Sequence, residues 1–213
     1  MAAADARYRF TFVDVGSYGK QSDSNVFANC SLAQCLSTNS LDIPSCKPLP
    51  GTQEPLPIVF VADEPFPLND NLMRPFPGQQ LIPEKRIFNY RLSRARRTVE
   101  NALGIMSSRF GVFRRAMAVT PSTADEVVKA CTVLHNMLRN HSAYCDDTIG
   151  DHEDEHRTLH DGTWRHEESA AAFAPLHRSG RFHARRAVET GERFTAYFSS
   201  SSGSVPWKQN LFL

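Results

Sequence analysis

Apolar and polar positions alternate over residues 8–15 (YRFTFVDV), with Tyr8, Phe10 and Phe12 on one side. Alternation in a run rich in aromatic and β-branched residues predicts a half-buried strand, ended by the turn of residues 16–19. Asp23 or Ser24 is placed to cap a predicted helix that runs to about Leu36, with Val26, Phe27, Cys30 and Ala33 as its apolar stripe. Five of the thirteen prolines fall within residues 42–57, so that stretch predicts an irregular connection. Residues 57–63 (PIVFVAD) are then apolar without alternation, and the run stops at an acid. Such a run predicts a strand buried on both faces, in the middle of an α/β sheet.

Residues 64–83 are rich in Pro and Asn and predict a loop. Helical periodicity returns over residues 84–109, where Leu92, Ala95, Val99, Ala102, Leu103 and Met106 form a stripe with Glu100 at its border. Thr120 before Pro121 predicts the start of another helix, lined by Val127, Val128, Cys131, Val133, Leu134, Met137 and Leu138. His135, on that apolar helix, reads as a satisfied core histidine. Past about His141 the chain turns acidic and polar, and residues 170–198 predict one more helix carrying Arg185 and Arg186. A flexible Ser/Gly run at 199–204 follows, and the ending VPWKQNLFL is apolar enough to dock.

The formal net charge of +1 averages two opposite segments. Residues 85–115 hold nine Lys and Arg against the single acid Glu100, whereas residues 146–168 hold nine acids against two arginines. The basic segment predicts a polyanionic partner and the acidic one a solvated linker. Five scattered cysteines without a CxxC pair predict reduced thiols used as small apolar residues. No apolar run approaches the roughly 18 residues of a membrane span, and the first ten residues lack the pattern of a signal peptide.

Three constellations carry candidate chemistry. The first is Asp63, at the end of the apolar run, with Glu100 on the basic helix. Two carboxylates brought together repel unless a divalent cation such as Mg²⁺ or Mn²⁺ lies between them. On spacing alone, an N-cap aspartate in a loop and a glutamate paired with Arg96 or Arg97 describe the two acids better, since charge runs usually form solvated faces. The second is the cationic surface of Lys85, Arg91, Arg94, Arg96 and Arg97, with Arg114 and Arg115 beyond, suited to a DNA backbone. Its alternative is internal pairing with the acidic segment, a salt-sensitive mask. The third is His152–His156 (HEDEH), which matches H-E-x-x-H, with His160 following. A zinc protease needs that motif on a helix with an apolar face. Residues 151–157 contain no apolar side chain, so a hydrated linker or adventitious zinc binding describes them better.

The order VFVADEPFPLNDNLMRPFPG, FNYRLSRARRTVENALG and CTVLHNMLRN resembles the PIF/Harbinger family of DDE transposases and the nucleases derived from them. RYRFTFVDVGSYGKQSDSNVF resembles the family's second and third strands, and DGTWR and GSVPW resemble a C-terminal extension of some members. The resemblance implies an α/β, RNase H-like fold and metal-dependent phosphodiester cleavage by an Asp-Asp-Glu triad. Asp63 in ADEPF matches the second aspartate of that triad, and Glu100 in Arg96–Glu100 matches its glutamate. The first aspartate, in a motif like IDGKHV, belongs to a strand upstream of the first one found here. Asp5 matches a hairpin residue, and Asp14 and Asp23 match acids of structural use. On this reading the chain is an incomplete RNase H-like domain over 1–141, an acidic linker over 142–168 and a C-terminal extension over 169–213. With its central strand lacking, the expectations are an exposed sheet edge, self-association and a metal held weakly if at all. The resemblance further implies DNA and a Myb/SANT-like protein as partners, in the nucleus.

Overall fold

The computed structural model describes residues 1–17, 21–141, 144–146, 148–166 and 185–205, which form a mixed α/β chain. The elements are β1 (Ala2–Ala4), β2 (Phe10–Val13), α1 (Asp23–Asn29), α2 (Ser31–Ser37), β3 (Lys47–Pro48), β4 (Pro55–Leu56), β5 (Phe60–Val61) and β6 (Leu72–Met73). They continue with α3 (Pro83–Arg109), α4 (Pro121–Arg139), β7 (His152–Glu153), β8 (Leu159–His160) and α5 (Arg185–Ser199). Among the described residues every sheet has two strands, and only β5–β6 is parallel. The chain divides into one compact unit of Met1–Gln21 with Arg97–Leu176 and a second of Ser22–Arg96 with His177–Leu213.

In the first unit, β1 and β2 pair as an antiparallel hairpin, and Phe10 enters a core with Ala102, Met106, Phe113 and Cys131. The hairpin bears out the strand read from the alternation, although Tyr8 falls in the preceding turn at φ 63°. α4 starts as the sequence indicates: the Thr120 hydroxyl accepts from the Thr123 N–H, and Pro121 opens the helix. Its buried face is another matter. Cys131, Thr132, His135 and Arg139 point inward, while Val133, Leu134 and Met137 are 59%, 47% and 56% exposed. Polar groups win the inner face because each finds a partner there. Thr132 donates to the Val128 carbonyl, Arg139 to the carbonyls of Arg7 and Tyr144, and His135 shares a 2.7 Å hydrogen bond with the Tyr8 carbonyl. His135 is fully buried, as read from the sequence, but only its Nε2 is satisfied: its buried Nδ1 has no hydrogen-bond partner among the described residues.

In the second unit, Met73, Phe88 and Leu92 form a core joined by Val59, Leu68, Phe76, Phe194 and Phe198. The apolar run of residues 57–63 shortens to the two-residue β5, with Ile58 43% and Val61 37% exposed, so it is not buried on both faces. Among the described residues β5 pairs only with β6, which lies inside the stretch expected to be loop. The single helix expected over residues 23–36 is two helices. Cys30 sits between them in extended conformation, and its sulfur accepts the Ala33 N–H at 3.3 Å. Its N–H still bonds the Phe27 carbonyl, and the N-cap of α1 is Ser22. The Ser/Gly run after α5 is a bonded turn, with Ser202 donating to the Gly51 carbonyl at 3.3 Å. Helix α5 begins at Arg185; the earlier part of the expected helix and the apolar ending after residue 205 lie outside the described residues.

Three asparagines on the long helices act as strand-like clamps. In each, one side-chain amide closes both the N–H and the C=O of a single residue in a loop or strand. Asn89 holds Phe76 at 2.8 and 2.9 Å, Asn136 holds Phe10 at 2.8 and 2.8 Å, and Asn101 holds Asp151 at 3.0 and 3.0 Å. Peptide groups removed from water need such partners.

The Asn101 clamp docks a segment that its acidic composition marks as a solvated linker. β7 and β8 form a hairpin whose approach to α3 is close. A Cβ at Gly104 would lie 2.7 Å from three ring carbons of Trp164, and one at Gly150 would lie 2.4 Å from the Tyr8 hydroxyl. Arg97, Asn101 and Gly104 follow at one-turn intervals on one stripe of α3, and they meet Glu153, Asp151 and Trp164 respectively.

Two outcomes follow for stability. Gly104→Ala should lower the unfolding free energy by about 1–3 kcal/mol through overpacking against Trp164, and Asn101→Ala by a similar amount through the orphaned Asp151 backbone. Urea unfolding within experimental error of wild type for both would show that the hairpin is not docked. Separately, burial depresses the proton affinity of His135 against the pull of the Tyr8 carbonyl, and Arg139 and Arg109 add repulsion. The unfolded chain therefore takes up this proton first. Stability is full above the ordinary histidine value of about 6.5 and declines as pH falls below it. Thermal unfolding between pH 8 and 5, with His135→Gln flattening this part of the profile, checks the sign.

Candidate functional site

Asp63 stands where the chain leaves β5. The Ala62 N–H makes a last ladder bond to the Met73 carbonyl at 2.9 Å, and the Phe66 N–H closes a turn on the Asp63 carbonyl at 3.1 Å. That turn is held from several sides within its unit. Arg74, a buried guanidinium, donates to the carbonyls of Glu64 and Phe66 at 2.8 and 3.0 Å. The Ser24 hydroxyl donates to the Pro65 carbonyl, and the Phe27 ring meets Phe66 edge-on at 5.6 Å. Asp63 is thus carried on a fixed support, with its carboxylate in an ion pair with Arg96 of α3.

Asp23, in the first turn of α1, registers this carboxylate. Burial, and after it the charge of Asp63, push the Asp23 carboxyl above its usual range. Two like charges in electrostatic contact are what a bound cation relieves. Sequence reading assigned Asp23 only a structural place, and the effect of Asp63 on it has no signature in residue spacing.

The five cations read as a DNA surface all have contacts inside the chain. Lys85 lies over the Phe76 ring at 4.6 Å, Arg91 over Phe198 at 4.8 Å and Arg94 over Tyr90 at 6.0 Å. Arg96 pairs with Asp63, and Arg97 faces Glu153 at 3.6 Å. Stacking on an aromatic face keeps the charge while fixing its direction. The contact of Arg97 with Glu153 is the internal pairing with the acidic segment that the charge distribution allows.

Glu100 is exposed on α3, and the next residue is the buried clamp Asn101. Within its unit it belongs to a charge network made with the docked hairpin. Arg165 donates through Nε to Asp151 at 2.8 Å and through Nη2 to the other oxygen of the same carboxylate. The Asp151 bond, and after it the charges of Asp151, Asp161 and Glu100, tighten the Arg165 proton against the effect of burial. Burial acts to raise Asp151, yet the bonds from Arg165 and the Gly162 N–H, with the charges of Arg165 and Arg97, hold it below the ordinary carboxylate range. Sequence reading missed Asn101, Asp151 and Arg165. The one available signal was an amide, Asn101, set in the apolar stripe between Val99 and Ala102.

Among the described residues, no group of three or more His, Cys, Asp or Glu side chains is gathered to hold a metal ion. A hard divalent ion accepts few carboxylates and retains water. Asp63 and Asp23 offer such oxygens; burial first, and the charge of Asp63 second, raise the Asp23 carboxyl, and Arg96 pairs with Asp63. This donor set fits a magnesium-like ion bound with few protein ligands. The H-E-x-x-H stretch, by contrast, is not helical. His152 and Glu153 form β7, so the one-turn spacing that would bring His152 and His156 onto one metal does not exist.

No described helix is long and apolar enough to cross a membrane. Among curated proteins and among solved structures, none matches the chain. Residues 1–136, which span α3 and Asp63, match a family model described as DDE superfamily endonuclease. A match over more than half the chain assigns it: the protein belongs to the DDE superfamily endonuclease family.

Proposed function

We propose that the chain is a Harbinger-type, transposase-derived nuclease with an RNase H-like ancestry, in which Asp63 and Glu100 hold a divalent metal ion, Mg²⁺ or Mn²⁺. The observation that carries this reading is the family match together with Asp63, a carboxylate mounted on a braced turn at the end of β5. A bound divalent ion would polarise a phosphodiester and lower the pKa of an attacking water. The chain's own residues supply the rest. Arg91 and Arg94, set by their aromatic partners, and Lys85 attract the phosphate backbone. Arg96 orients the Asp63 carboxylate through their ion pair. Two carboxylates, Asp63 and Glu100, bind a metal more weakly than three. Cleavage by this chain is therefore very weak or absent. DNA as the target supports a nuclear location, and the family likeness extends the proposal to a Myb/SANT-like partner and to self-association.

A second reading, a DNA- or protein-binding remnant without catalysis, is favoured by the Asp63–Arg96 ion pair, which already occupies the carboxylate. Supercoiled-plasmid nicking in Mg²⁺, run beside salt-dependent DNA binding, separates the two. The nuclease reading expects trace nicking that disappears with Glu100→Ala. The remnant reading expects none, with binding that survives Asp63→Ala and is lost when Arg94, Arg96 and Arg97 are changed to Ala. Robust nicking abolished by Glu100→Ala would overturn the claim of inactivity, and nicking indifferent to both carboxylates would overturn the site.

A further inference from the structure

We propose that the β7–β8 hairpin carries a transition-metal site of its own, with the imidazoles of His152 and His160 as its ligands. Side chains alternate across a strand. Glu153 of β7 is turned toward Arg97 of α3, so His152 stands on the opposite face of the hairpin. The register sets His152 directly across from His160, and their rings stack with centroids 5.2 Å apart and an interplanar angle of 21°.

Hydrogen bonding leaves each ring a nitrogen for a metal. The Nε2 of His160 is 3.0 Å from the Asp154 carboxylate, which only accepts, so Nε2 carries the proton and Nδ1 keeps its lone pair. The Nδ1 of His152 is 3.4 Å from the Gly150 carbonyl, which assigns the proton to Nδ1 and the lone pair to Nε2. A carboxylate behind a ligating imidazole is the outer-shell arrangement that fixes the tautomer and raises ligand basicity. Asp154 is itself oriented, because its other oxygen accepts the N–H groups of His156 and Thr158 at 2.9 and 2.8 Å. His156, central to the linear motif, contributes this backbone N–H.

Both rings lie on the exposed surface, so water completes the coordination and little desolvation opposes binding. Two neutral imidazoles suit Ni²⁺, Cu²⁺ or Zn²⁺ and not Mg²⁺, which prefers oxygen. The site is therefore chemically distinct from the carboxylates Asp63 and Glu100, and it stands whether or not the chain cleaves DNA.

Isothermal titration of the full chain with NiCl₂ at pH 7.5, in excess Mg²⁺, tests the assignment. His152→Ala and His160→Ala should each remove one nickel equivalent or weaken it by more than about tenfold. Asp154→Asn should weaken it by roughly 10- to 100-fold. That amide can keep the turn bonds through its oxygen, but its N–H then donates to Nε2 and shifts the ring proton to Nδ1. His156→Ala should leave the isotherm unchanged. Unaltered binding in His152→Ala or His160→Ala, or loss in His156→Ala, would overturn the proposal. Circular dichroism and thermal unfolding of each variant show that the fold is retained.

Discussion

A peptide group taken out of water must find a partner, and in this chain three asparagines meet that demand where regular structure cannot. Asn89, Asn101 and Asn136 each offer a carbonyl and an amide in the geometry of a neighbouring strand, and each closes one residue completely. Among the described residues the sheets are only two strands wide, so ladder bonds alone secure little of the backbone. In the first unit, the Asn136 clamp ties β2 to α4 and the Asn101 clamp ties the acidic hairpin to α3. In the second, the Asn89 clamp fixes Phe76, whose ring packs against Phe88 at 5.0 Å. The helices thus do the work of sheet neighbours.

Charge is distributed by the same economy of partners. Asp63 rests on Arg96, Glu153 on Arg97, and Asp151 on Arg165. These guanidiniums pair with carboxylates where no metal is needed, and they also compete with one. A nuclease of this family assigns catalysis to a cation held by carboxylates. Here the chain's own arginines neutralise part of that charge, which lowers the gain from binding an ion. The Asp23 carboxyl is raised by its burial and, after that, by the charge of Asp63.

Much of the helical framework was legible in the sequence. α3 and α4 follow from their 3.6-residue periodicity, and Thr120–Pro121 marks the start of α4 because its hydroxyl and its missing N–H both suit a helix terminus. The break at Cys30 was not legible, since a thiol standing in for a hydroxyl cap leaves the apolar period of residues 26–33 intact. The inner face of α4 was misread for a related reason. Hydrophobicity favoured Val133, Leu134 and Met137, whereas hydrogen-bond partners drew in Thr132, His135 and Arg139. The hairpin was hidden by composition: in HEDEHRTLH the acids suggest a solvated linker, while cross-strand pairing and the Asn101 clamp are non-local. Asp63 and Glu100 were singled out by the order of motifs along the chain. Their surroundings, from the Arg74 brace to the Arg165 network, depend on contacts that no local window contains.

The central proposal, that Asp63 and Glu100 hold a divalent ion, is tested most directly by manganese binding read by electron paramagnetic resonance. The account predicts a weak Mn²⁺ signal loss with wild-type chain, reversed by Mg²⁺ and abolished separately by Asp63→Asn and by Glu100→Gln. Manganese uptake that persists unchanged in both variants, or that Mg²⁺ fails to displace, would contradict it.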